Sequence, residues 1–193
     1  MTDVATPSPA PGTSAFTMAN MVTVLRLCAV PVTVWLVLDG QFLAAFWLFA
    51  AAGASDALDG WLARRRGPTR LGAMLDPLAD KALLVAMFVT LAAAGLLPGW
   101  LLLLVVLREA AILGGAAALT LRARTRGGQP VSIRPIPVSK ANTAIQITTV
   151  AATLLMEALR LDWPMLGTAL RWATVAGAIA SLGAYACAMA ARR

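Results

Sequence analysis

A bundle of six membrane-spanning α-helices is the fold the sequence predicts, and three observations predict it. Hydrophobic residues make up 60% of the 193 and charged ones only 13%, whereas soluble domains are near half apolar and a quarter charged. Mean hydropathy is +0.78. The chain divides into apolar stretches near 17–38, 41–65, 71–97, 100–122, 137–160 and 164–190, each about the 20 residues that a helix needs to cross a hydrocarbon core. The third observation is the placing of charge, because arginines gather in alternate joins between these stretches. The fold class is all-α, a polytopic membrane protein.

Residues 1–15 are rich in Pro, Ser, Thr and Ala and lack the basic n-region or Arg-rich amphipathic pattern of a targeting peptide. They read as a disordered N-terminal tail, leaving 16–193 as one six-helix domain. Helix one opens with a polar stripe, Asn20, Thr23 and Arg26, at i, i+3 and i+6. Asn20 and Thr23 suit helix capping or bonding between helices, but Arg26 lies one or two turns into the span and needs an anionic partner. Cys28 in helix one and Cys187 in helix six lack the CxxC spacing of a metal or redox pair.

Helices two and three hold Asp56, Asp59, Asp76 and Asp80, four of the nine acidic residues in the chain. Carboxylates are costly inside a membrane and mark functional sites by default. Asp56 and Asp59 are spaced i, i+3 and Asp76 and Asp80 i, i+4, so each pair shares a helix face. If the arginine-rich join folds helix two back on helix three, the pairs meet. Four converging carboxylates repel one another, and two hard divalent cations, Mg²⁺ or Mn²⁺, relieve the conflict because the ligands are all oxygen. Gly60 and Gly72 let a ligand approach the backbone closely, Ala63 is one turn beyond Asp59, and Arg64 supplies a fixed charge suited to phosphate. Salt bridges to nearby arginines account for one or two such aspartates, not for four at helical spacing.

Helix four carries Arg108 and Glu109, which by themselves read as a mutual or interhelical ion pair. In helix five Ser139, Lys140, Asn142, Thr143 and Gln146 make the first two turns polar, with Lys140 either snorkelling to the interface or facing an anionic substrate. Helix six presents the small residues Gly177, Ser181 and Ala184, suited to helix packing and to a dimer contact. Trp61, Trp100 and Trp163 read as interfacial anchors. The net charge of +7 lies in loops rather than beside stacking aromatics, which argues for membrane topology and against nucleic acid. Arg64, Arg65, Arg66 and Arg70 sit in join two and Arg122, Arg124, Arg126 and Arg134 in join four. With Arg192 and Arg193 they lie on one side, which the positive-inside rule makes cytoplasmic together with both termini.

The run Asp56-Ala-Leu-Asp59-Gly60-Trp-Leu-Ala63-Arg64, followed by Gly72-Ala-Met-Leu-Asp76-Pro-Leu-Ala-Asp80, resembles the signature of the CDP-alcohol phosphatidyltransferases, with all eight signature residues present. Seven residues separate Arg64 from Gly72 where the commonest pattern has eight. The resemblance implies a six-helix homodimer in a bacterial inner membrane, its site open to the cytoplasm. It implies that Asp56, Asp59 and Asp76 hold two divalent metals on the diphosphate of CDP-diacylglycerol, with Asp80 joining the metals and acting as general base. Gly60, Ala63, Arg64 and Gly72 would form the nucleotide pocket. Family members often carry an Asn-x-x-Thr-x-x-Arg run like Asn20 to Arg26, usually after Pro where this chain has Ala19, which places these residues near the substrate phosphates. An Arg-acid pair at the place of Arg108 makes that residue a candidate for the acceptor phosphate, together with Arg26, Arg134 and Lys140.

For the acceptor, Ile136-Pro-Val-Ser-Lys140-Ala-Asn142-Thr-Ala-Ile-Gln146 is similar to the stretch that opens this helix in cardiolipin synthases of the family. That implies phosphatidylglycerol as the partner substrate, with glycerol 3-phosphate the alternative. The chain has no His, so a carboxylate is the natural base, and the missing His argues against the unrelated lipid synthases that use a His nucleophile. A transporter is the competing class, but its internal repeats are not visible here.

Overall fold

The structure is a computed structural model that describes the backbone of residues 18–66, 72–125 and 137–190, with side chains over 25–55, 81–115, 117–118, 120–121, 125 and 137–187. Six helices follow one another: α1 Met18–Leu38, α2 Phe42–Arg66, α3 Gly72–Ala93, α4 Gly99–Thr125, α5 Pro137–Ala158 and α6 Pro164–Ala190. No strand occurs among the described residues. The predicted tail at 1–15 lies outside them, as do joins two and four from 67 to 71 and from 126 to 136.

Two boundaries differ from the sequence reading for reasons of backbone chemistry. Helix α3 stops at Ala93 rather than near 97, because Gly95 takes φ +75°, where a side chain is disfavoured. The Leu96 N–H then reaches back to Leu91 O at 2.9 Å and the Gly95 N–H to Ala92 O at 3.1 Å, the paired bonds of a Schellman cap. Helix α4 continues to Thr125, so Arg122 and Arg124 belong to a helix rather than to a join.

The same cap ends α1, where Gly40 has φ +76° and the Gln41 N–H reaches Leu36 O at 2.8 Å. It also ends α5, with Leu161 N–H to Met156 O at 2.8 Å. There the left-handed position is Arg160, φ +51°. All three odd-numbered helices therefore close in one way.

Helix α1 packs against α2 and α3, and α5 packs against α2, α3 and α6, while α4 joins α3 and α6. The two carboxylate-bearing helices thus share α1 and α5 as neighbours. The apolar core lies toward the capped ends: Val37, Ala45, Phe49, Met87, Phe88, Leu91, Leu101, Val105, Val150 and Leu154 are all buried. Helices of 21 to 27 residues are about 30 to 40 Å long. Among the described residues one stretch is long and apolar enough to cross a membrane, Pro164–Cys187 of α6, and Leu25–Leu38, Phe42–Ser55 and Lys81–Ala93 are shorter apolar segments. Of the six apolar spans read from the sequence, α6 is the one whose described residues run long and apolar enough to show a full membrane-crossing window.

Buried threonine hydroxyls in the bundle are satisfied within their own helices. Thr33 donates to Ala29 O at 2.7 Å, Thr90 to Ala86 O at 2.7 Å and Thr174 to Leu170 O at 2.9 Å, the back-bonding that lets threonine sit in an apolar helix. The small face of α6 is used inside the chain. A Cβ on Gly177 would overlap Asn142 Oδ1 and lie 3.2 Å from its Cγ, and Ser181 is fully buried, so Gly177 serves α5 and Ser181 serves α4 inside the chain.

Candidate active site at the polar end of the bundle

The signature occupies the last third of α2, from Asp56 to Arg64, and the opening of α3, from Gly72 to Asp80. Each pair of aspartates therefore keeps its spacing on a continuous helix. The side chains of Asp56, Asp59, Gly60, Ala63, Arg64, Gly72, Asp76 and Asp80 lie outside the described residues, as do those of Asn20 and Thr23, and Arg134 falls in the undescribed 126–136. What is described is the polar machinery on the helices around them.

From α1, Arg26 is buried at 3% exposure. A guanidinium so placed lacks water and needs partners within the protein. From α4, Arg108 is buried at 1% exposure and spends its donors on three helices. Its Nη1 pairs with Glu109, and its Nη2 donates to Ser139 Oγ of α5 at 2.7 Å and to Ser181 Oγ of α6 at 2.7 Å. Glu109 Oε2 in turn lies 2.7 Å from Lys81 Nζ of α3. Lys81 directly follows Asp80 in sequence. One clasp, buried at Arg108 and partly exposed at Lys81, thus ties α3, α4, α5 and α6 together.

Lys140 on α5 is exposed, while the opposite face buries Asn142, Gln146, Thr149, Val150 and Leu154. That face changes character along its length, with amides and a hydroxyl first and the apolar core after. Thr149 Oγ1 donates to Ile145 O at 2.9 Å and lies 3.0 Å from Thr174 Oγ1. Asn142 and Gln146 are 1% and 0% exposed, and neither amide has a hydrogen-bond partner for its nitrogen or its oxygen.

An open groove of about 660 Å³ lies at the far end, lined by Gln41, Trp47, Glu157 and Arg160 among others. Asp56 is 14 residues along α2 from Phe42, about 21 Å at 1.5 Å per residue, so the groove is remote from the aspartates.

Sequence reasoning found Arg108 and Glu109 as a pair but missed Lys81 as the second cation and Ser181 as an acceptor for Arg108. Ser181 reads as merely small, and nothing local joins residues 73 apart. A periodicity count over Ser139, Asn142, Gln146 and Thr149 (i, i+3, i+7, i+10) would have shown the polar face to be one continuous line.

Helices α2 and α3 carry the paired aspartates, and α1 and α4 bury Arg26 and Arg108. The CDP-alcohol phosphatidyltransferase family matches residues 16–180, and the chain belongs to that family. It is 36% identical over 153 residues to the rice chloroplastic CDP-diacylglycerol–glycerol-3-phosphate 3-phosphatidyltransferase 1, an alignment covering 72% of this chain and 46% of the rice protein. The human cardiolipin synthase (CMP-forming) is 35% identical over 153 residues, 72% of this chain and 50% of the human protein. A probable phosphatidylglycerophosphate synthase of Mycobacterium tuberculosis is 37% identical over 122 residues, 60% of this chain and 56% of its own length. The chain spans about half the length of the curated relatives it matches.

Proposed function

We propose that this chain synthesises phospholipid, transferring a phosphatidyl group from CDP-diacylglycerol to phosphatidylglycerol and releasing cardiolipin and CMP. The observation that carries the reaction class is a complete eight-residue signature inside a family match that runs over 16–180. Identity of 35% to 37% to relatives of both acceptor types does not rank the acceptors. The run Ser139 to Gln146 favours phosphatidylglycerol. Glycerol 3-phosphate is the second reading, favoured by the likeness to the rice protein.

In this reading Asp56, Asp59, Asp76 and Asp80 hold two divalent cations, Mg²⁺ or Mn²⁺, and an all-oxygen donor set is the kind those ions take. Bound there, the cations supply charge neutralisation on the diphosphate. Gly60, Ala63, Arg64 and Gly72 line the nucleotide side, with Asn20 and Thr23 beside them. The acceptor hydroxyl oxygen attacks the phosphorus next to the diacylglycerol, the bond to the bridging oxygen breaks, and CMP leaves with that oxygen. Asp80 takes the hydroxyl proton as general base. Arg26, Arg134 and Lys140 hold the acceptor phosphate. Arg108 serves that side by fixing the first turn of α5, since its Nη groups are engaged by Glu109, Ser139 and Ser181.

The setting proposed is a homodimer in a bacterial inner membrane, six helices crossing the bilayer and the site facing the cytoplasm. Large apolar side chains exposed along the bundle, among them Leu25, Trp35, Trp47, Leu103, Leu107, Trp172 and Ile179, support a lipid surround. The full chain, purified with CDP-diacylglycerol and Mg²⁺ or Mn²⁺, should release CMP and form cardiolipin when given phosphatidylglycerol. Release with glycerol 3-phosphate alone moves the acceptor, and release with neither ends the proposal. Asp80→Asn should fold and bind CDP-diacylglycerol yet fall about 1,000-fold in turnover, the middle of the range a general base contributes.

A further inference from the structure

Asn142 and Gln146 leave four amide atoms unmatched in a seam where Arg108 Nε is the other unpartnered polar atom. On one side of them Ser139 accepts from Arg108 at 2.7 Å; on the other Thr149 meets Thr174 at 3.0 Å. Between lie two side chains, 1% and 0% exposed, whose Nδ2, Oδ1, Nε2 and Oε1 have no partner. Each buried unpaired polar group costs about 1–3 kcal/mol, against a net stability of roughly 5–15 kcal/mol for a whole domain. Two such amides on consecutive turns of one helix are a large expense for a structure to carry without use. Threonine at the same positions would have bonded to its own helix, as Thr143 does to Ser139 O at 3.1 Å and Thr153 to Thr149 O at 2.7 Å. The α6 side is cut away to admit Asn142, since Gly177 leaves no Cβ where Oδ1 sits.

The chemistry of what would satisfy them is restricted. A phosphate or carboxylate accepts only, and would match the two NH₂ groups while leaving both carbonyl oxygens unpaired. A cation does the reverse. A hydroxyl donates and accepts, so hydroxyls complete both halves of each amide. We infer that Asn142 and Gln146 are a recognition pair for the hydroxyls of a polyol headgroup on the acceptor, reached when the polar end of the bundle opens to substrate. This rests on the proposed glycerol-type acceptor and deepens it. The basic residues then bind the acceptor's phosphate, and the amide pair reads its glycerol.

The test uses the full chain and near-isosteric apolar replacements, Asn142→Leu and Gln146→Met. Loss of unpaired amides should leave the thermal midpoint in detergent unchanged or raised, while KM for phosphatidylglycerol rises at least tenfold and KM for CDP-diacylglycerol stays within twofold. The parent should prefer phosphatidylglycerol at least tenfold over phosphatidyl-1,3-propanediol, which keeps the terminal hydroxyl and lacks the middle one, and each variant should lose that preference. An acceptor KM within twofold of the parent in both variants overturns the inference, leaving the amides to buried water. If the variants do not fold, the parent decides alone, and equal use of the two headgroups overturns it. If no acceptor releases CMP the reaction reading has failed instead. The pair is then judged by whether phosphatidylglycerol raises the parent's thermal midpoint more than the propanediol lipid does, equal shifts counting against it.

Discussion

A guanidinium at 1% exposure is stable only because every described contact of Arg108 Nη1 and Nη2 is a strong one. Glu109 supplies the only carboxylate described against it and also faces Lys81. The two cations are not equivalent, because the Lys81 side chain is 35% exposed and the Arg108 side chain 2%. Water screens the first pair, which leaves it worth about 0–1 kcal/mol, whereas removing one partner of a buried pair costs about 3–5 kcal/mol. Glu109→Gln should therefore lower stability by about 3 kcal/mol or more, and Lys81→Met by about 1 kcal/mol or less. Thermal midpoints of the two variants in one detergent check this, and equal losses would show that Arg108 does not depend on Glu109. Arg108→Lys should resemble Glu109→Gln, since one ammonium on a flexible stem does not replace a fork that bonds Glu109, Ser139 and Ser181 together.

At the scale of the element, three helices end in one cap but with different residues at its left-handed position. An ordinary side chain there costs about 1–2 kcal/mol. Gly95 has no atom within 4 Å of an added Cβ, so Gly95→Ala should lose about 1 kcal/mol through backbone strain alone. Arg160 already bears that strain at φ +51°, and Arg160→Gly should gain up to about 1 kcal/mol, reduced by the extra freedom glycine has when unfolded. Opposite shifts of thermal midpoint in the two variants are the expected result; a fall in both would mean that the Arg160 side chain holds more in the groove than its backbone loses. These caps also show what was legible in the sequence. Gly40 marked the end of α1 correctly because glycine is the expected residue there, while the α3 end was read past Gly95, since Leu96 and Leu97 continue the apolar pattern across it. The α5 end was placed near 160 although no local signal makes Arg the left-handed residue. In the site, the aspartates and Arg26 stood out because charge inside an apolar span is conspicuous. The clasp did not, because Arg108 meets its serines over separations of 31 and 73 residues, and a serine in an apolar helix signals packing as readily as bonding.

Across the whole molecule the bundle is divided end to end. Its apolar core, from Val37 and Ala45 through Phe88 and Leu101 to Leu154, fills the end bearing the Schellman caps. Arg26, Arg108, Glu109, Asn142, Gln146 and Ser181 are buried toward the other. In the proposed membrane setting the polar end would face one membrane surface and the apolar end the other. In sequence the arginines of 64–70 and 122–134 fall at the ends of α2 and α4 and in the joins after them, and in the proposed membrane setting the bias of Lys and Arg sets which surface the site faces. Replacing Cys28 and Cys187, both exposed, by serine allows single cysteines to report it in intact bacterial cells. Gln41→Cys, in the exposed α1–α2 turn at the capped end, should react with a membrane-impermeant maleimide from outside. Thr69→Cys, between Arg66 and Arg70, should react only after the cells are permeabilised. Labelling of Thr69→Cys in intact cells with Gln41→Cys protected would turn the site outward, away from the cytoplasmic pool of nucleotide. Labelling of both from outside would mean that the bundle does not span the membrane.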